Sequence, residues 1–354
     1  MKQCCCMTLN ENITDKKYCW RCSPNIAIVK YWGKLPGQLP ASPSVSLTLS
    51  ESYTVTSLRW LSGERGVHFA FNGEPAPLFG QRIEKYLETL QPQLPWLSQY
   101  GVAIESSNNF PHSAGIASSA SSFGALALCL AETHLDLRGV PRKEFLPFAS
   151  HLARLGSGSA ARSIYGGFNL WGATPGIADS SDLRAIPIID IHPVFADLHD
   201  LIVVVSDQKK SVSSSRGHAL MNQHPYAAER YSLARERAAS LPGILKSGDM
   251  DSFCRITISE GLGLHGLMLT SDPPVNLLEP LSVEIIRLAD RFRKETGLPL
   301  SYTLDAGPNV HLIYPGEMAD AMNGFIENYL MPFTSHVRLI HDKAGAGSLR
   351  MSIQ

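Results

Sequence analysis

The stretch NNFPHSAGIASSASSFGALALCL, residues 108–130, joins small and hydroxylated residues to an apolar run. Pro111 interrupts regular structure, Gly115 permits close backbone approach, and the run from Phe123 onward predicts a helix. Serines at the start of a helix can cap its first turn, and the free N–H groups there attract anions. The serines between residues 118 and 122 exceed the need of one cap. The stretch therefore predicts either a closely packed, capped helix or an anion-binding loop.

Common nucleotide-binding and acyl-transfer motifs do not explain this loop. The chain has no G-x-x-x-x-G-K-[ST] sequence, because Leu35 follows its Gly33-Lys34 pair. G-x-G-x-x-G spacing occurs at residues 261–266, inside a helical pattern with no strand before it. The S-x-x-K at residues 206–209 lacks the accompanying motifs of acyl transfer, which disfavours a hydrolase.

The remaining pattern predicts an α+β chain. Strand-like runs are followed by helical ones in both halves, and a boundary is expected near residues 173–200, where Gly, Pro and Asp are frequent. The predicted strands cover residues 26–29, 102–105 and 201–205, with two more inside 299–315, and residues 45–58 form a further β-rich run. The predicted helices cover residues 81–90, 226–241 and 281–293.

Composition favours a small-molecule partner. The 354 residues are 44% hydrophobic, and Lys+Arg 31 against Asp+Glu 32 leaves no field that would attract nucleic acid or an anionic membrane. The longest apolar runs fall short of the roughly 18 residues of a spanning helix. The N-terminus lacks a signal-peptide pattern, and the odd number of cysteines, 7, suits a reducing compartment, so we expect a cytoplasmic protein.

Two further segments place cations beside unusual neighbours. In PNIAIVKYWGK, residues 24–34, Lys30 ends an apolar run, so its ammonium must reach water or an anion. In ARLGSGSAARSIYGGF, residues 153–168, Arg162 follows Ser157 and Ser159. Guanidinium and hydroxyl groups together bind phosphate or carboxylate, although an exposed arginine in a turn gives the same pattern.

Asp305 lies in YTLDAGPN, where two strands are joined by a tight turn. Such an aspartate commonly caps its own turn. Next to a reacting hydroxyl, the same carboxylate serves as a general base. The residues alone leave both interpretations open.

Taken together, the segments PNIAIVKYWGK, FPHSAGIASSAS and DAGPN resemble the three motifs of the GHMP kinase superfamily. Within it the chain is most similar to the diphosphomevalonate decarboxylase family, and the resemblance runs from about residue 20 to about residue 315. The matching motifs are KYWGK at 30–34, NNFPxxAGxASSA at 108–120, GSGSAxRSxxGGF at 156–168, SDxKKxVSS at 206–214 and LTSDPP at 269–274.

The resemblance implies a fold of two domains around a central cleft. A tail of residues 1–17 would precede an N-terminal, ribosomal-protein-S5-like α/β domain at 18–190. A ferredoxin-like α+β domain would follow at 191–354. Family members are commonly homodimers, and this is the basis for expecting one here.

The resemblance also implies an activity and its cofactors. With ATP and Mg²⁺, the enzyme would phosphorylate the 3-hydroxyl of (R)-5-diphosphomevalonate. Loss of phosphate and CO₂ would then give isopentenyl diphosphate, a step of the mevalonate pathway of isoprenoid biosynthesis.

Residue roles follow by the same resemblance. Asp305 would be the catalytic base or an orienting carboxylate, Lys30 would be its positively charged neighbour, and Arg162 would be the third catalytic residue. The substrate would contact Asn25, Tyr31, Trp32, Gly33, Lys34, Ser157, Gly158, Ser159, Arg162, Ser214 and Ser215. ATP would contact Asn108, Ser113, Gly115, Ser118, Ser119 and Ser121, and Ser119 would also approach an Mg²⁺ held mostly by ATP phosphates.

Two departures from the eukaryotic pattern leave the substrate open. ASPSVS at residues 41–46 replaces a run like TNSSIS, and His112-Ser113 replaces Thr-Ala. The alternatives are a decarboxylase acting on phosphomevalonate and a mevalonate 3-kinase-like enzyme, which would lack the Asp305 and Lys30 pair. A non-catalytic ligand-binding relative would lose a catalytic or phosphate-loop residue, and no such loss is seen in the sequence.

Overall fold

The structure, a computed structural model, describes residues 13–110, 117–139, 141–206, 212, 214–332 and 337–352. Its strands are β1 (Lys17–Cys22), β2 (Asn25–Val29), β3 (Lys34–Leu35), β4 (Leu39–Pro40), β5 (Ser44–Thr48), β6 (Thr54–Leu61), β7 (Val67–Phe71), β8 (Glu74–Pro75), β9 (Gly101–Asn108), β10 (Phe168–Trp171), β11 (Ala185–Ile188), β12 (Leu198–Val204), β13 (Ser301–Thr303), β14 (Val310–Pro315), β15 (Arg338–Lys343) and β16 (Leu349–Arg350). Its helices are α1 (Pro77–Leu90), α2 (Ser118–Arg138), α3 (Phe145–Gly156), α4 (Pro193–Ala196), α5 (Ser214–Ala219), α6 (Ala227–Ser247), α7 (Met250–Leu269), α8 (Pro280–Thr296) and α9 (Ala319–Phe325).

The first sheet supports the serine-rich helix. Its strand order is β16-β1-β6-β9-β7-β8, and α2 and α3 pack together beside it, with α2 in contact with β1 and β6. Residues 125–131 of α2 are Ala, Leu and Cys, and all of them are buried, so this part of the helix is surrounded on all sides. The shared core contains Trp60, Trp96 and Leu128. Burial of α2 thus fixes the position of its N-terminal turn.

The second sheet connects the two halves of the chain. It has the order β11-β10-β5-β2, and α6 and α7 pack against its strands. Phe168 from β10 meets Phe195 and Phe253 with ring centroids 6.2 and 6.0 Å away. Because these rings come from opposite sides of the predicted boundary, the two halves share one apolar core.

The third sheet carries the Asp305 turn. Its order is β13-β14-β12-β15, and α8 packs on β13 and β14 through residues that include Ile285, Leu288 and Phe292. The turn between β13 and β14 contains Asp305. The end of the chain then returns to the first sheet, where β16 pairs antiparallel with β1.

Most elements expected from the sequence are present. The α+β class is confirmed, and the glycines at 261–266 lie within α7. Within the tail predicted for residues 1–17, Ile13 is buried and Lys17 begins β1, while residues 1–12 lie outside the described residues. No helix of the described ranges is both long and apolar enough to cross a membrane.

The β-rich run at residues 45–58 forms two strands. It divides into β5 and β6, which belong to different sheets. Asp342 causes the break, because its buried carboxylate accepts the N–H groups of Ser50, Glu51 and Ser52, each at 2.8 Å. Those backbone groups bond to a side chain from β15 instead of continuing a ladder.

Asp342→Asn is expected to lower the free energy of unfolding by about 1.5–3 kcal/mol, because an amide replaces an acceptor that serves several backbone donors. Urea unfolding measures the change. The control Asp190→Asn removes an exposed partner of Lys246 and should leave stability nearly unchanged. Equal effects of the two substitutions would contradict this account of the break.

Candidate active site

A cavity of about 770 Å³ lies where the motif segments meet. Its described lining includes Lys30, Arg162 and Asp305, together with the first turn of α2 and the loop after α3. These residues come from distant parts of the sequence. Packing of the sheets, described above, brings them to one place.

Lys30 and Asp305 form an ion pair at this site. Lys30 Nζ lies 2.8 Å from Asp305 Oδ1, across 275 residues of sequence. The lysine side chain is 2% exposed and the aspartate side chain is 29% exposed. The ammonium is therefore shielded from water, while the carboxylate still faces the cavity. His265 Nε2 donates to the Asp305 carbonyl at 3.1 Å and helps to fix the turn.

Sequence reasoning missed a second ionic group behind Lys30. Glu260 on α7 is fully buried, and its Oε2 accepts the Lys30 N–H at 2.8 Å. Arg230 on α6 donates to both Glu260 oxygens and, through Nη2, to the Lys30 carbonyl at 2.9 Å. Burial alone would raise the pKa of Glu260, but Arg230, the Lys30 N–H and Arg237 together hold it below its ordinary value. No local motif marks either residue.

Arg162 lies deep in the cavity wall. Its side chain is almost fully buried, Nη1 donates to Ser44 Oγ, and Nε has no partner among the described residues. Burial lowers the pKa of Arg162 to about 10, and nearby Asp305 acts in the opposite direction. A buried guanidinium with an unused donor is suited to an anionic ligand.

Tyr31 and Gly158 shape the wall next to Arg162. The Tyr31 hydroxyl is buried without a hydrogen-bond partner in the described chain, and burial raises its pKa. Its ring packs against Trp171 with centroids 4.7 Å apart. A Cβ at Gly158 would lie 2.8 Å from the Tyr31 hydroxyl oxygen and 2.9 Å from Trp171. Glycine is therefore required for this close approach.

Polar residues of the 157–163 segment complete the same wall. The hydroxyl oxygen of Ser157 lies 3.5 Å from that of Ser159 and 3.4 Å from that of Ser119 on α2. Asn25 Nδ2 donates to Ser163 Oγ at 2.7 Å and to the Ser159 carbonyl at 3.1 Å. Asn25 thus holds the serine segment against β2.

The first turn of α2 reaches the cavity through three serines, Ser118, Ser119 and Ser122. Ser122 is one of the serines noted in the sequence, but it was not among the expected ATP contacts. Ser121 is fully buried and its Oγ lies 2.6 Å from Thr54 Oγ1, so it does not line the cavity. The helical period explains the difference, because Ser118, Ser119 and Ser122 fall within an arc of about 100° around the helix and Ser121 lies outside that arc.

Asn108 also has a structural position, since its Oδ1 accepts from Thr54 Oγ1 at 2.8 Å and it is not among the lining residues. The expected ATP contacts of Asn108 and Ser121 are therefore not supported by this geometry. Ser113 and Gly115 lie outside the described residues.

The remaining predicted substrate contacts divide into two groups. Trp32, Lys34 and Ser215 line the cavity, and burial followed by the charge of Arg82 lowers the pKa of Lys34. Gly33 faces away: it has φ of 90°, and a Cβ there would lie 2.2 Å from the Tyr231 hydroxyl oxygen. Ser214 begins α5, and its side chain lies outside the described set.

His218 on α5 is a lining residue that the motifs did not indicate. Its ring stacks near those of Tyr31 and Trp32, with centroids 4.4 and 4.8 Å away. Burial, followed by the charges of Lys34 and Arg162, lowers the pKa of His218 to about 4. The imidazole is therefore neutral near pH 7 and adds no charge to the wall.

An aromatic end of the cavity was also missed. Phe69, Phe71, Phe79 and Tyr86 line it, and Arg82 lies over the ring of Phe123 at 4.9 Å. These rings come from β7, α1 and α2. The sequence shows them as ordinary core positions, so only the assembled structure reveals a flat apolar compartment joined to a basic one.

The described residues contain no group of three or more His, Cys, Asp or Glu side chains that could hold a metal ion. The oxygen donors that line the cavity include the carboxylate of Asp305 and the hydroxyls at the start of α2. Mg²⁺ commonly takes one or two protein oxygens and completes its shell with phosphate oxygens and water. This donor set fits Mg²⁺ carried by a nucleotide.

Comparison with known proteins agrees with this geometry. The diphosphomevalonate decarboxylase-like N-terminal domain model matches residues 22–182, and the mevalonate 5-diphosphate decarboxylase C-terminal domain model matches residues 200–352. The diphosphomevalonate decarboxylase of Eremothecium gossypii is 34% identical over 330 residues, which are 85% of this chain and 78% of that protein. The chain belongs to the diphosphomevalonate decarboxylase family. The resemblance inferred from its motifs is thereby confirmed.

Solved structures of this family have the same fold. Mevalonate diphosphate decarboxylase from Staphylococcus aureus superposes with a TM-score of 0.83 at 29% identity, covering 96% of this chain and 100% of that one. A structure of MDDEF in complex with MVAPP, AMPPCP and magnesium gives a TM-score of 0.80 at 28% identity, covering 95% of this chain and 99% of that one. The predicted GHMP kinase fold is therefore confirmed.

Arg162→Gln is expected to raise KM for the anionic substrate about ten- to a hundredfold, the factor for losing one or two hydrogen bonds to a charged group. KM for ATP should change much less. Initial-rate kinetics measure both constants, and Arg162→Lys tests whether charge alone is sufficient. An unchanged KM in both variants would exclude this role.

Proposed function

We propose that the protein catalyses the ATP-dependent decarboxylation of (R)-5-diphosphomevalonate to isopentenyl diphosphate, ADP, phosphate and CO₂. The observation that carries the proposal is the 2.8 Å contact of Lys30 with Asp305 in a cavity that also contains buried Arg162. Family membership supports the same reaction class. The names of the relatives state the activity, and one solved neighbour was obtained with MVAPP, AMPPCP and magnesium.

Proton removal is assigned to Asp305. A tertiary alcohol is hindered and has a pKa far above neutrality, so a base must be positioned against it. The carboxylate is partly exposed toward the cavity, while its other side is held by Lys30. The neighbouring ammonium favours the ionised carboxylate and stabilises the negative charge that develops on the alcohol oxygen.

The anionic groups of the substrate are assigned to the wall formed by Arg162, Tyr31 and the serine segment. Arg162 Nε and the Tyr31 hydroxyl are buried polar groups without described partners, so a carboxylate or diphosphate oxygen would satisfy them. The hydroxyls of Ser157 and Ser159 lie on the same wall. Lys34 adds positive charge near its edge.

The nucleotide is assigned to the other end of the cavity. Free N–H groups and serine hydroxyls at the start of α2 suit its phosphates, and Arg82 and Lys85 add positive charge nearby. The aromatic compartment of Phe69, Phe71 and Phe79 suits a planar base. Lys30 and Asp305, which line the same cavity, would then lie on the phosphate side of the nucleotide.

Mg²⁺ is proposed to accompany ATP, and the Ser119 hydroxyl is the proposed protein ligand of the ion. It would neutralise phosphate charge as the phosphoryl group is transferred. A homodimeric state and a cytoplasmic location stay predictions from the family resemblance and the sequence. Size-exclusion chromatography with light scattering tests the first.

Purified protein given ATP, Mg²⁺ and diphosphomevalonate is expected to release CO₂, ADP and phosphate in equal amounts. Coupled assays of ADP and phosphate, with trapping of labelled CO₂, measure this ratio. ADP formed without CO₂ would instead indicate a kinase. If phosphomevalonate reacts with the higher kcat/KM, the substrate assignment is wrong while the decarboxylase class stands.

Asp305→Asn is expected to lower kcat by about 10²- to 10⁴-fold, because it removes the general base. Binding of ATP and substrate should be retained, as measured by calorimetric titration. Asp251→Asn, at an exposed position in the first turn of α7, is the matched control and should keep normal turnover. Near-normal kcat for Asp305→Asn would exclude the role of general base and would leave turn capping as the role of that carboxylate.

A further inference from the structure

The main chain of Lys30 is bonded to side chains from the other half of the protein. Its N–H donates to Glu260 Oε2 at 2.8 Å, and its carbonyl accepts from Arg230 Nη2 at 2.9 Å. Lys30 directly follows β2, whose pairing with β5 shifts register between Ala27 and Val29. Side chains from α6 and α7 thus form hydrogen bonds with backbone groups that would pair with β5 if the β2 ladder continued.

The two side chains that hold Lys30 are themselves rigidly connected. Arg230 makes a two-pronged contact with Glu260, at 2.8 and 2.7 Å. Arg237 Nη1 adds a third bond to Glu260 at 2.6 Å, and its Nη2 donates to Ser259 Oγ at 2.7 Å. Glu260 is fully buried and Arg230 side chain is 7% exposed. The desolvation cost of a buried ion pair largely offsets its electrostatic attraction, so the pair adds little net stability. Its contribution to the protein is then the orientation of the groups that it holds.

What it orients is the catalytic ammonium. A lysine side chain is flexible in water, but that of Lys30 is 2% exposed, so packing restricts its conformers and the direction of the Cα to Cβ bond sets which points Nζ can reach. Glu260 and Arg230 fix both peptide groups that flank the Lys30 Cα. The Nζ then reaches Asp305 Oδ1 at 2.8 Å.

We propose that Glu260 and Arg230 are positioning residues for the reaction: together they set the Lys30 backbone, and through it the distance between the ammonium and Asp305. This inference rests on the proposed function for the role of Lys30. The positioning itself is a property of the folded chain and is measurable without substrate.

Glu260→Gln tests the proposal most directly. An amide has one acceptor oxygen where the carboxylate has two, so it cannot serve both Arg230 and the Lys30 N–H in the same way. We expect kcat to fall about 10²-fold, the size of effect caused by a misplacement of about 1 Å at a reacting centre. KM for ATP should stay within about twofold of wild type, because the nucleotide end is untouched.

A double-mutant cycle separates positioning from general damage. In a Lys30→Met background, Glu260→Gln should have almost no further effect on kcat, since the group through which it acts is gone. An equal loss in both backgrounds would overturn the proposal. Unchanged kcat in the single variant would do so as well. Glu284→Gln, which breaks an exposed ion pair with Arg287 on α8, is the matched control and should behave as wild type.

Arg230→Lys provides a second variant if Glu260→Gln folds poorly. The lysine keeps the charge but cannot bond to both Glu260 oxygens and the Lys30 carbonyl, so kcat should again fall while KM for ATP is kept. The thermal unfolding midpoint of each variant establishes that it is folded. A folded Arg230→Lys enzyme with wild-type kcat would contradict the proposal.

Hydrogen exchange gives a test independent of the reaction. The Lys30 amide, bonded to a buried carboxylate, should exchange roughly tenfold faster in Glu260→Gln, the factor expected for loss of one hydrogen bond to a charged group. Amides in the central strand β14 serve as the internal reference. Equal exchange of Lys30 in both proteins would overturn the positioning role. Absence of CO₂ release by the wild type would overturn only the proposed function.

Discussion

The contact between Lys30 and Asp305 exists only because two distant parts of the chain are held in register. An ammonium that is 2% exposed has lost most of its hydration, and one carboxylate at 2.8 Å is its direct partner. The Asp305 turn is supported by β13, β14 and the bond from His265. Lys30 is supported by β2 and by bonds from α6 and α7. The shared core around Phe168 keeps these supports together, so the distance between Lys30 and Asp305 depends on the packing of the whole chain.

The catalytic candidates could be found from the sequence because each lies in a short, ordered motif. Lys30, Arg162 and Asp305 stand beside glycines, serines or aromatic residues that mark unusual backbone. Glu260 and Arg230 could not be found in this way. They lie on helices among other charged residues, 30 positions apart, and resemble an ordinary surface pair. Their burial arises from the packing of α6 and α7 against each other and against strands that include β2, β5 and β13.

Errors at the level of single residues have a similar cause. The serine stretch correctly indicated where α2 begins, but helical rotation decides which hydroxyls face the cavity, and Ser121 faces Thr54. The apolar run at 45–58 correctly indicated strands, but Asp342 interrupts it from 290 residues away. Local pattern predicts the kind of element, while its orientation and its ends depend on partners that are distant in sequence.

The charges around the cavity explain how one compartment handles two anions and one alcohol. Lys34, Arg82 and Arg162 lie along its described wall, and burial lowers the pKa of each. These cations are therefore destabilised where they stand, and an anionic ligand that approaches them restores favourable charge pairing. Asp305 contributes a negative charge next to the Lys30 ammonium. On the proposed assignment, this charge distribution would attract the phosphate end of a substrate to the cations and leave its hydroxyl end beside Asp305. Its hydroxyl end is directed to the pair that the α6 and α7 side chains hold in place.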